Sequence, residues 1–253
     1  PGEVVLDVEN VTMHNAQRKK DAVRDVSFQV HAGEIVCLAG IEGNGQTELV
    51  YGLTGLEKIG SGKIMLDGKD ITNETIRQRS KDGMSHIPED RHKHGLVLDF
   101  TLEQNLVLQR YKEPQFEKGG FIKRDAVRSY AQQLIEKFDV RSGQGPITVV
   151  RSMSGGNQQK AIIARWLVTQ PDLLILDEPT RGIDIGTKTE IQKMVIQLAR
   201  EQHMSIIFIS SEIDEMTRTC TRLAVLRDRR KVAELTGDDI NSDRVMAAIA
   251  GGA

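Results

Sequence analysis

Apolar and polar residues alternate along two segments near the start of the chain, Glu3–Val11 and Val23–Val30. This alternation predicts two strands that each bury one face, as in a small antiparallel sheet. Glu34–Ala39 carries a short continuous apolar run instead, which is typical of a strand covered on both faces. Further short strands are expected at Gly60–Asp70, Ser85–Pro88, Leu173–Leu176, Ile206–Ile209 and Leu223–Leu226.

Apolar residues recur at helical spacing in two later segments. Asp125–Phe138 carries such a stripe and predicts an amphipathic helix. A second helix is expected after Leu176, with an apolar face formed by Ile191, Met194, Val195 and Leu198. Ser242 is the expected N-cap of a last helix that runs through Ala250. Strands that alternate with helices predict an α/β fold with a mostly parallel sheet.

The middle third of the chain has a different pattern from both ends. Residues 92–168 are helical in pattern and contain no clear strand. We therefore expect a helical lobe inserted between two parts of an α/β core, residues 1–91 and 169–253. The polar segment IPEDRHKHG, residues 87–95, is broken by a proline and predicts a loop just before this lobe.

A glycine-rich segment, GIEGNGQT at residues 40–47, separates the apolar run ending at Ala39 from a helical pattern. A phosphate-binding P-loop has the form GxxxxGK[ST], in which glycines let backbone N–H groups surround an anion at a helix N-terminus. Gly40, Gly45 and Thr47 fit this form, whereas Gln46 stands at the lysine position. The alternative is an ordinary strand-to-helix turn.

Two adjacent carboxylates, Asp177 and Glu178, end the apolar run of LLILDEP. Ligands of parallel α/β sheets bind at the carboxyl ends of the strands. Asp177 is therefore expected to hold Mg²⁺, directly or through water, and Glu178 to orient or deprotonate an attacking water. The alternative is a solvated acidic turn, but a P-loop upstream favours the phosphate-chemistry interpretation.

The segment SGGNQQK, residues 154–160, opens a further predicted helix with a serine and two glycines. Backbone amides and a hydroxyl at a helix N-terminus form an anion site. A plain N-cap is the alternative interpretation.

Composition narrows the functional classes. The 253 residues are 39% hydrophobic and 28% charged with a formal net charge of −2, which argues against binding nucleic acid through overall charge. No apolar run approaches the roughly 18 residues that span a bilayer, and the start PGEVVLDVEN lacks the pattern of a signal peptide. We expect a cytosolic protein in which Cys37 and Cys220 are reduced thiols. Pro1 in place of methionine suggests a piece of a longer chain.

The order of these motifs resembles the nucleotide-binding domain of an ABC transporter over essentially the whole chain. MSGGNQ at residues 153–158 is similar to the family signature, Asp177 and Glu178 to the Walker B pair, and GID at 182–184 to the D-loop. IPEDRHKHGL, EPTRGIDIG and ISSEIDE resemble the second ATP-binding half of tandem ATPase subunits that import simple sugars, and GIEGNGQTELVYGLTG resembles the nucleoside importers. The PGEVVL start is similar to the linker between such halves.

The resemblance implies a P-loop NTPase (RecA-like) core, an N-terminal antiparallel β subdomain and an inserted helical subdomain. It also implies ATP and Mg²⁺ as ligands, with Glu178 and Ser211 as catalytic residues. The implied metal ligands are Thr47, Asp177 and Glu89. The implied nucleotide-binding residues are Gly40, Glu42, Gly43, Asn44, Gly45, Gln46, Thr47, Glu48, Ser154, Gly155, Gly156 and Asp184.

The chain departs from the family pattern at four places. Gln46 replaces the P-loop lysine, Glu89 stands at the Q-loop glutamine, Ser211 stands at the switch histidine, and MHNAQRKK at 13–20 lacks the aromatic that stacks on adenine. Loss of a charge-assisted phosphate contact costs about 1.5–3 kcal/mol. Because two domains of the family pair head to tail, we expect Ser154, Gly155 and Gly156 to complete a competent site on the partner. This domain's own site is expected to be weak.

The resemblance implies partners as well. They are the N-terminal ATP-binding half of the same subunit or a second ABC domain, transmembrane permease subunits, and indirectly a periplasmic or extracellular solute-binding protein. The protein is then expected to be peripheral at the cytoplasmic face of the inner membrane, with the loop Pro88–His94 as a hinge. A catalytically silent dimerisation module is the alternative. An ABC ATPase that acts on ribosomes or DNA is disfavoured by the charge and by the lack of a long coiled-coil insert.

Overall fold

The computed structural model describes residues 2–15 and 20–251. The chain divides into two units. The first unit comprises Pro1–His86, Pro171–Glu178 and Gln192–Ala253, and the second comprises Ile87–Gln170 and Pro179–Ile191. Pro1, part of the charged stretch 17–21 and part of the segment 13–20 lie outside the described residues.

A six-stranded sheet forms the centre of the first unit, in the order β12-β11-β3-β10-β9-β6. Neighbouring pairs from β11 through β3 and β10 to β9 are parallel, and β12 is antiparallel to β11. All five residues of β3, of β9 and of β10 are buried, as their continuous apolar runs predict. The strands are β3 (Ile35–Ala39), β6 (Met84–Ile87), β9 (Leu173–Asp177), β10 (Ser205–Ile209), β11 (Arg222–Arg227) and β12 (Arg230–Thr236).

The first unit also contains an antiparallel sheet of four strands, in the order β2-β1-β4-β5. Its two long strands bury alternate residues, and side chains such as Leu6, Val8 and Phe28 join the core that includes Leu38 and Ile207. The alternation in the sequence therefore predicts these strands correctly. Their bounds are β1 (Val4–Asn15), β2 (Lys20–His31), β4 (Ser61–Leu66) and β5 (Lys69–Asp70).

The second unit contains helices and one small hairpin. The predicted helix at 125–138 is confirmed, because it runs over Arg124–Lys137 and buries Val127, Ala131 and Leu134. The prediction that residues 92–168 contain no strand is wrong: β7 (Glu117–Lys118) pairs with β8 (Phe121–Ile122). Gly119 and Gly120 both have positive φ and form the two-residue turn. The boundaries of the predicted domains remain a prediction.

The last helix ends at Ala250 as predicted, but its N-cap differs from the prediction. The last helix has Asn241 as its N-cap, because the Asn241 side chain accepts from the N–H of Arg244. The prediction of Ser242 is therefore wrong by one residue. The helices are α1 (Gln46–Thr54), α2 (Ile76–Lys81), α3 (Leu102–Val107), α4 (Arg124–Lys137), α5 (Gly155–Leu167), α6 (Ile185–Gln202), α7 (Ile213–Thr219) and α8 (Ser242–Ala250).

Two smaller expectations can also be compared with the structure. Cys37 and Cys220 are buried and free, as predicted for reduced thiols. Among the helices of residues 2–15 and 20–251, none has both the length and the hydropathy needed to cross a membrane.

Candidate nucleotide site

The P-loop connects β3 to α1 in the first unit. Gly45 is the N-cap of α1 and has a φ of 98°. A Cβ atom on Gly45 would lie 2.5 Å from the backbone oxygen of Ala22, so only glycine fits there. The first N–H groups of α1 have no intrahelical partner and carry the positive end of the helix dipole. The loop therefore has the backbone geometry of an anion cradle.

Gln46, at the position of the missing lysine, is turned back into this loop. Its side-chain Nε2 donates to the backbone oxygen of Ile41 at 3.4 Å, and the residue is only 8% exposed. A Cβ atom on Gly40 would collide with the same Nε2. The side-chain amide therefore makes its hydrogen bond within the loop and adds no positive charge to it.

The other predicted P-loop residues differ in their exposure. Glu42 and Gly43 are exposed, whereas Thr47 and Glu48 are half-buried in the first turn of α1. The Asn44 side chain accepts from the N–H of Asp228 at 3.0 Å. This hydrogen bond attaches the P-loop to the turn between β11 and β12.

Asp177 is the last residue of β9 and is only 4% exposed. Burial, and secondly the neighbouring Glu178, raises the pKa of the Asp177 carboxyl to about 6. No cationic side chain within the described residues offsets these effects. A carboxylate in such surroundings is stabilised by a bound cation.

Glu178 and Ser211 lie in hydrogen-bond contact. Glu178 has a φ of 46°, in the left-handed region, and its N–H donates to Ile209 O at 2.9 Å. The Ser211 hydroxyl donates to Glu178 Oε2 at 3.2 Å. Burial raises the pKa of Glu178, and the Ser211 hydrogen bonds act in the opposite direction. The structure therefore brings together the two residues expected to be catalytic.

These residues fit a Mg²⁺-bound nucleotide in two respects. The Gly45 turn leaves space only for backbone, and Asp177 is a carboxyl whose pKa is raised by burial and by the neighbouring Glu178. In the described part of the chain, no group of three or more His, Cys, Asp or Glu side chains forms a metal cage. Mg²⁺ in nucleotide sites commonly keeps water and phosphate oxygens as ligands beside one or two carboxylates.

The second unit holds the signature segment, Ser154–Gly156. Ser154 is the N-cap of α5, and its hydroxyl oxygen accepts from the side-chain Nδ2 of Asn157 at 2.8 Å. A Cβ atom on Gly156 would lie 2.8 Å from the side chain of Thr187. The segment is exposed at Ser154 and closely packed at Gly156.

Glu89 and the predicted hinge loop also belong to the second unit. The Glu89 carboxylate forms an ion pair with Arg181. Asp90 accepts from the N–H groups of His92 and Lys93, and Arg91–Gly95 form one π-helical turn. The prediction of an irregular loop is therefore wrong for Arg91–Gly95, because the Asp90 side chain caps a regular turn there.

The Asp184 carboxylate accepts hydrogen bonds from the first turn of α6. It accepts from the N–H of Thr187 at 2.9 Å and from the Thr187 hydroxyl at 2.8 Å, and these hydrogen bonds lower the pKa of Asp184. Two arginines of this region were not predicted from the sequence. Arg91 donates to the backbone oxygen of Arg181, and the Arg181 side chain pairs with Glu89. The only signal was one arginine in each of the EDR and TRGID motifs.

Curated proteins of known role resemble this chain. A nucleoside import ATP-binding protein, NupA of Lactococcus lactis subsp. cremoris, is 46% identical over 228 residues, which are 90% of this chain and 44% of that protein. The guanosine import ATP-binding protein NupO of Bacillus subtilis is 40% identical over 99% of this chain and 49% of its own length. The ribose import ATP-binding protein RbsA 1 of Streptomyces coelicolor is 38% identical over 99% of this chain and 48% of its own.

The chain thus spans about half the length of these relatives.

Solved structures share the fold. An ATP-binding cassette of an ABC transporter in its ADP conformation superposes with a TM-score of 0.79 at 21% identity, covering 98% of this chain and 95% of that chain. A nucleotide-free ATP-binding cassette gives a TM-score of 0.80 at 20% identity, with 96% of each chain covered. These matches confirm the predicted α/β P-loop NTPase fold. The sequence profile of the ABC transporter family matches residues 23–181, more than half of the chain, and the chain therefore belongs to the ABC transporter family.

Proposed function

We propose that this chain is the ATP-binding part of an importer, in which binding and hydrolysis of Mg·ATP are coupled to uptake of a small solute. The names of the relatives support this proposal, since those proteins are import ATP-binding proteins for nucleosides, guanosine or ribose. The names include nucleosides and a simple sugar, so the proposed solute belongs to one of these two classes.

Different residues of the first unit would bind the phosphates, hold the metal ion and accept the proton of the attacking water. Bound Mg²⁺ supplies neutralisation of the phosphate charge. The backbone of Gly40–Thr47 would bind the phosphates, and Thr47 with Asp177 would hold the metal ion. Glu178, oriented by the Ser211 hydroxyl, would accept a proton from the attacking water. Glu89 remains a proposed third metal ligand, although it would first have to leave its ion pair with Arg181.

We further propose that the two sites of the assembled ATPase are unequal. The observation that carries this proposal is the Gln46 amide, which bonds to Ile41 O within the loop and brings no charge to a phosphate. The signature segment has no such defect, because Ser154 is exposed at the start of a thirteen-residue helix. The domain would therefore bind Mg·ATP weakly at its own P-loop and complete the stronger site of its partner.

The test compares Ser154→Ala with Glu178→Gln in the complete transporter by steady-state ATP turnover. Loss of one donor aimed at developing charge typically costs about 10²–10³ in rate. Ser154→Ala should therefore abolish most turnover, and Glu178→Gln should reduce it far less. Ser152→Ala is the matched control, since Ser152 is an exposed serine whose hydroxyl donates to Val149 O. Equal damage from Ser154→Ala and Glu178→Gln would refute the inequality of the sites.

The proposed partners follow from the same function. They are the other ATP-binding half of the subunit or a second ABC domain, the membrane permease, and indirectly a solute-binding protein. An apolar patch on the second unit supports permease docking: it consists of Phe100 and Val149, which are exposed on adjacent segments. Docking there would place the domain at the cytoplasmic face of the membrane, with Pro88–His94 as the proposed hinge.

A catalytically silent module is the second candidate, and two observations favour it. Gln46 bonds within its own loop, and Ser211 offers Glu178 a hydroxyl rather than an imidazole. The two candidates differ when the P-loop lysine of the partner half is replaced. An ATPase with a weak site should retain slow turnover that Glu178→Gln removes, whereas a silent module should show none before or after that change.

A further inference from the structure

Arg91, which lies within the proposed hinge Pro88–His94, reaches a separate segment of the second unit. Its Nη1 donates to the backbone oxygen of Arg181 at 2.8 Å, and its Nη2 donates to that of Gly182 at 3.4 Å. Gly182 opens the D-loop, Gly182–Asp184. The guanidinium therefore holds the entrance of the D-loop through two backbone carbonyls.

The same guanidinium lies against the signature segment. A Cβ atom on Gly155 would be 2.7 Å from Arg91 Nη2 and 3.5 Å from Gly182 O. Gly155 has no positive φ, so its backbone does not require glycine. The Arg91 guanidinium therefore packs directly against Gly155, and a side chain at this position would displace it.

Residues on both sides of Arg91 in the chain attach its turn to other segments of the second unit. Glu89 pairs with the side chain of Arg181, whose carbonyl Arg91 contacts. His92 Nε2 lies 2.9 Å from Gln158 Oε1 on α5. The turn is thus attached to the D-loop on one side of Arg91 and to the signature helix on the other.

The nitrogen atoms of the half-buried Arg91 side chain differ in their surroundings. Its Nε atom is buried and has no hydrogen-bond partner among the described residues. A buried donor without a partner destabilises a fold. The hydrogen bonds of the side chain come from its two terminal nitrogens, which both reach carbonyls at the start of the D-loop.

We infer that Arg91 is a positioning residue that locks the D-loop to the signature segment, so that both meet the partner's nucleotide as one rigid surface. This inference rests on the proposed function, in which the signature segment serves the site of the partner. Arg91 itself touches no nucleotide in this scheme. Its contribution is the alignment of groups that do.

The experiment measures ATP turnover by the complete transporter carrying Arg91→Ala or Arg91→Lys. We expect Arg91→Ala to lower kcat at least tenfold while KM for ATP stays within about twofold, because the partner's P-loop still binds the nucleotide. Arg91→Lys retains a donor for one carbonyl and should give an intermediate kcat. Arg128→Ala is the control, since Arg128 also makes a two-nitrogen contact within the second unit, to Glu103.

A second measurement does not depend on transport or on the partner site. Amide hydrogen exchange of Arg91→Ala should rise over residues 181–187 and remain unchanged in α4. A uniform rise with a matching loss of thermal stability would show a structural role only and would overturn the inference.

Two further outcomes separate this inference from the proposed function. Normal turnover in Arg91→Ala together with lost turnover in Ser154→Ala would overturn the inference alone. Normal turnover in both variants would refute the proposed function. Amide hydrogen exchange of residues 181–187 in Arg91→Ala would then decide the inference by itself. Faster exchange confined to these residues would support it, and unchanged exchange would refute it.

Discussion

Gln46 shows how one side chain can keep the shape of a site and weaken its chemistry. Gln46 fills a buried position at the start of α1 with an uncharged side chain that has two methylenes fewer than lysine. Its amide reaches only as far as Ile41 O, within the same loop. A lysine ammonium would add a full charge on a longer stem, as phosphate recognition by a P-loop requires. The defect therefore lies in charge and reach.

Replacing Gln46 should restore part of the affinity for nucleotide. Gln46→Lys should tighten Mg·ATP binding by the isolated domain about ten- to a hundredfold, equivalent to about 1.5–3 kcal/mol. Isothermal titration calorimetry measures the change, and Gln46→Ala is the control that removes the amide without adding charge. A submicromolar Kd for the unaltered domain, or no tightening with lysine, would contradict this account.

Asp177 predicts a pH dependence of stability. The pKa of its carboxyl is 3.8 in its ordinary state and about 6 in the folded protein. Between these values the folded state retains a proton that the unfolded chain has lost, so the free energy of unfolding falls as pH rises. The full cost, about 3 kcal/mol, is present above the folded pKa.

Asp177→Asn should remove this cost. Urea unfolding at pH 7 should give a higher free energy of unfolding for Asp177→Asn than for the unaltered protein, and the difference should shrink towards pH 4.5. Asp238→Asn, at an exposed carboxylate, is the control and should leave the pH profile unchanged. If the two variants behave alike, Asp177 is not the group responsible.

At the scale of the element, the P-loop contains two glycines with positive φ and different surroundings. Gly45 at 98° faces Ala22 O, whereas a Cβ on Gly43 at 87° would meet nothing within 4 Å. Gly45→Ala should therefore destabilise the domain by more than Gly43→Ala, whose cost is limited to backbone strain of about 1–2 kcal/mol. Thermal unfolding of both variants checks this order, and equal losses would contradict it.

The elements that the sequence predicted well are those whose pattern is set by burial. The central strand β3 and its neighbours are covered on both faces, so each is an uninterrupted apolar run. β12 was missed because it is an edge strand in which every residue is exposed or half-buried. β7 and β8 have two residues each, too few to show a period.

The candidate site was predictable only in part, for a related reason. The absence of a lysine at residue 46 and the carboxylates at 177 and 178 can be recognised in the sequence. The contact of Gln46 with Ile41 and the position of Arg91 against Gly155 depend on how distant or folded-back segments pack. No local periodicity records such contacts.

For the whole molecule, the apolar patch of the second unit gives a test of assembly. Phe100 and Val149 are both exposed and lie on adjacent segments, since the N–H of Val150 donates to Phe100 O. An aspartate in a buried interface must be desolvated. Phe100→Asp or Val149→Asp should therefore reduce copurification with the proposed membrane subunits at least tenfold and leave the melting temperature of the domain unchanged.

Met246→Asp provides the comparison, because Met246 is an apolar side chain that is 57% exposed on α8 of the first unit. It should leave the copurified amount unchanged. An equal loss in Met246→Asp, or none in either patch variant, would place the permease contact elsewhere.

The left-handed backbone of Glu178 has a consequence beyond the chemistry of one site. That conformation costs a non-glycine residue about 1–2 kcal/mol, and it adjoins the buried Asp177. Any ligand that binds the folded state alone raises its stability with concentration, so bound Mg·ATP would offset both costs. The nucleotide concentration would then affect how long this protein persists in the cell, because proteases would degrade the less stable nucleotide-free form first.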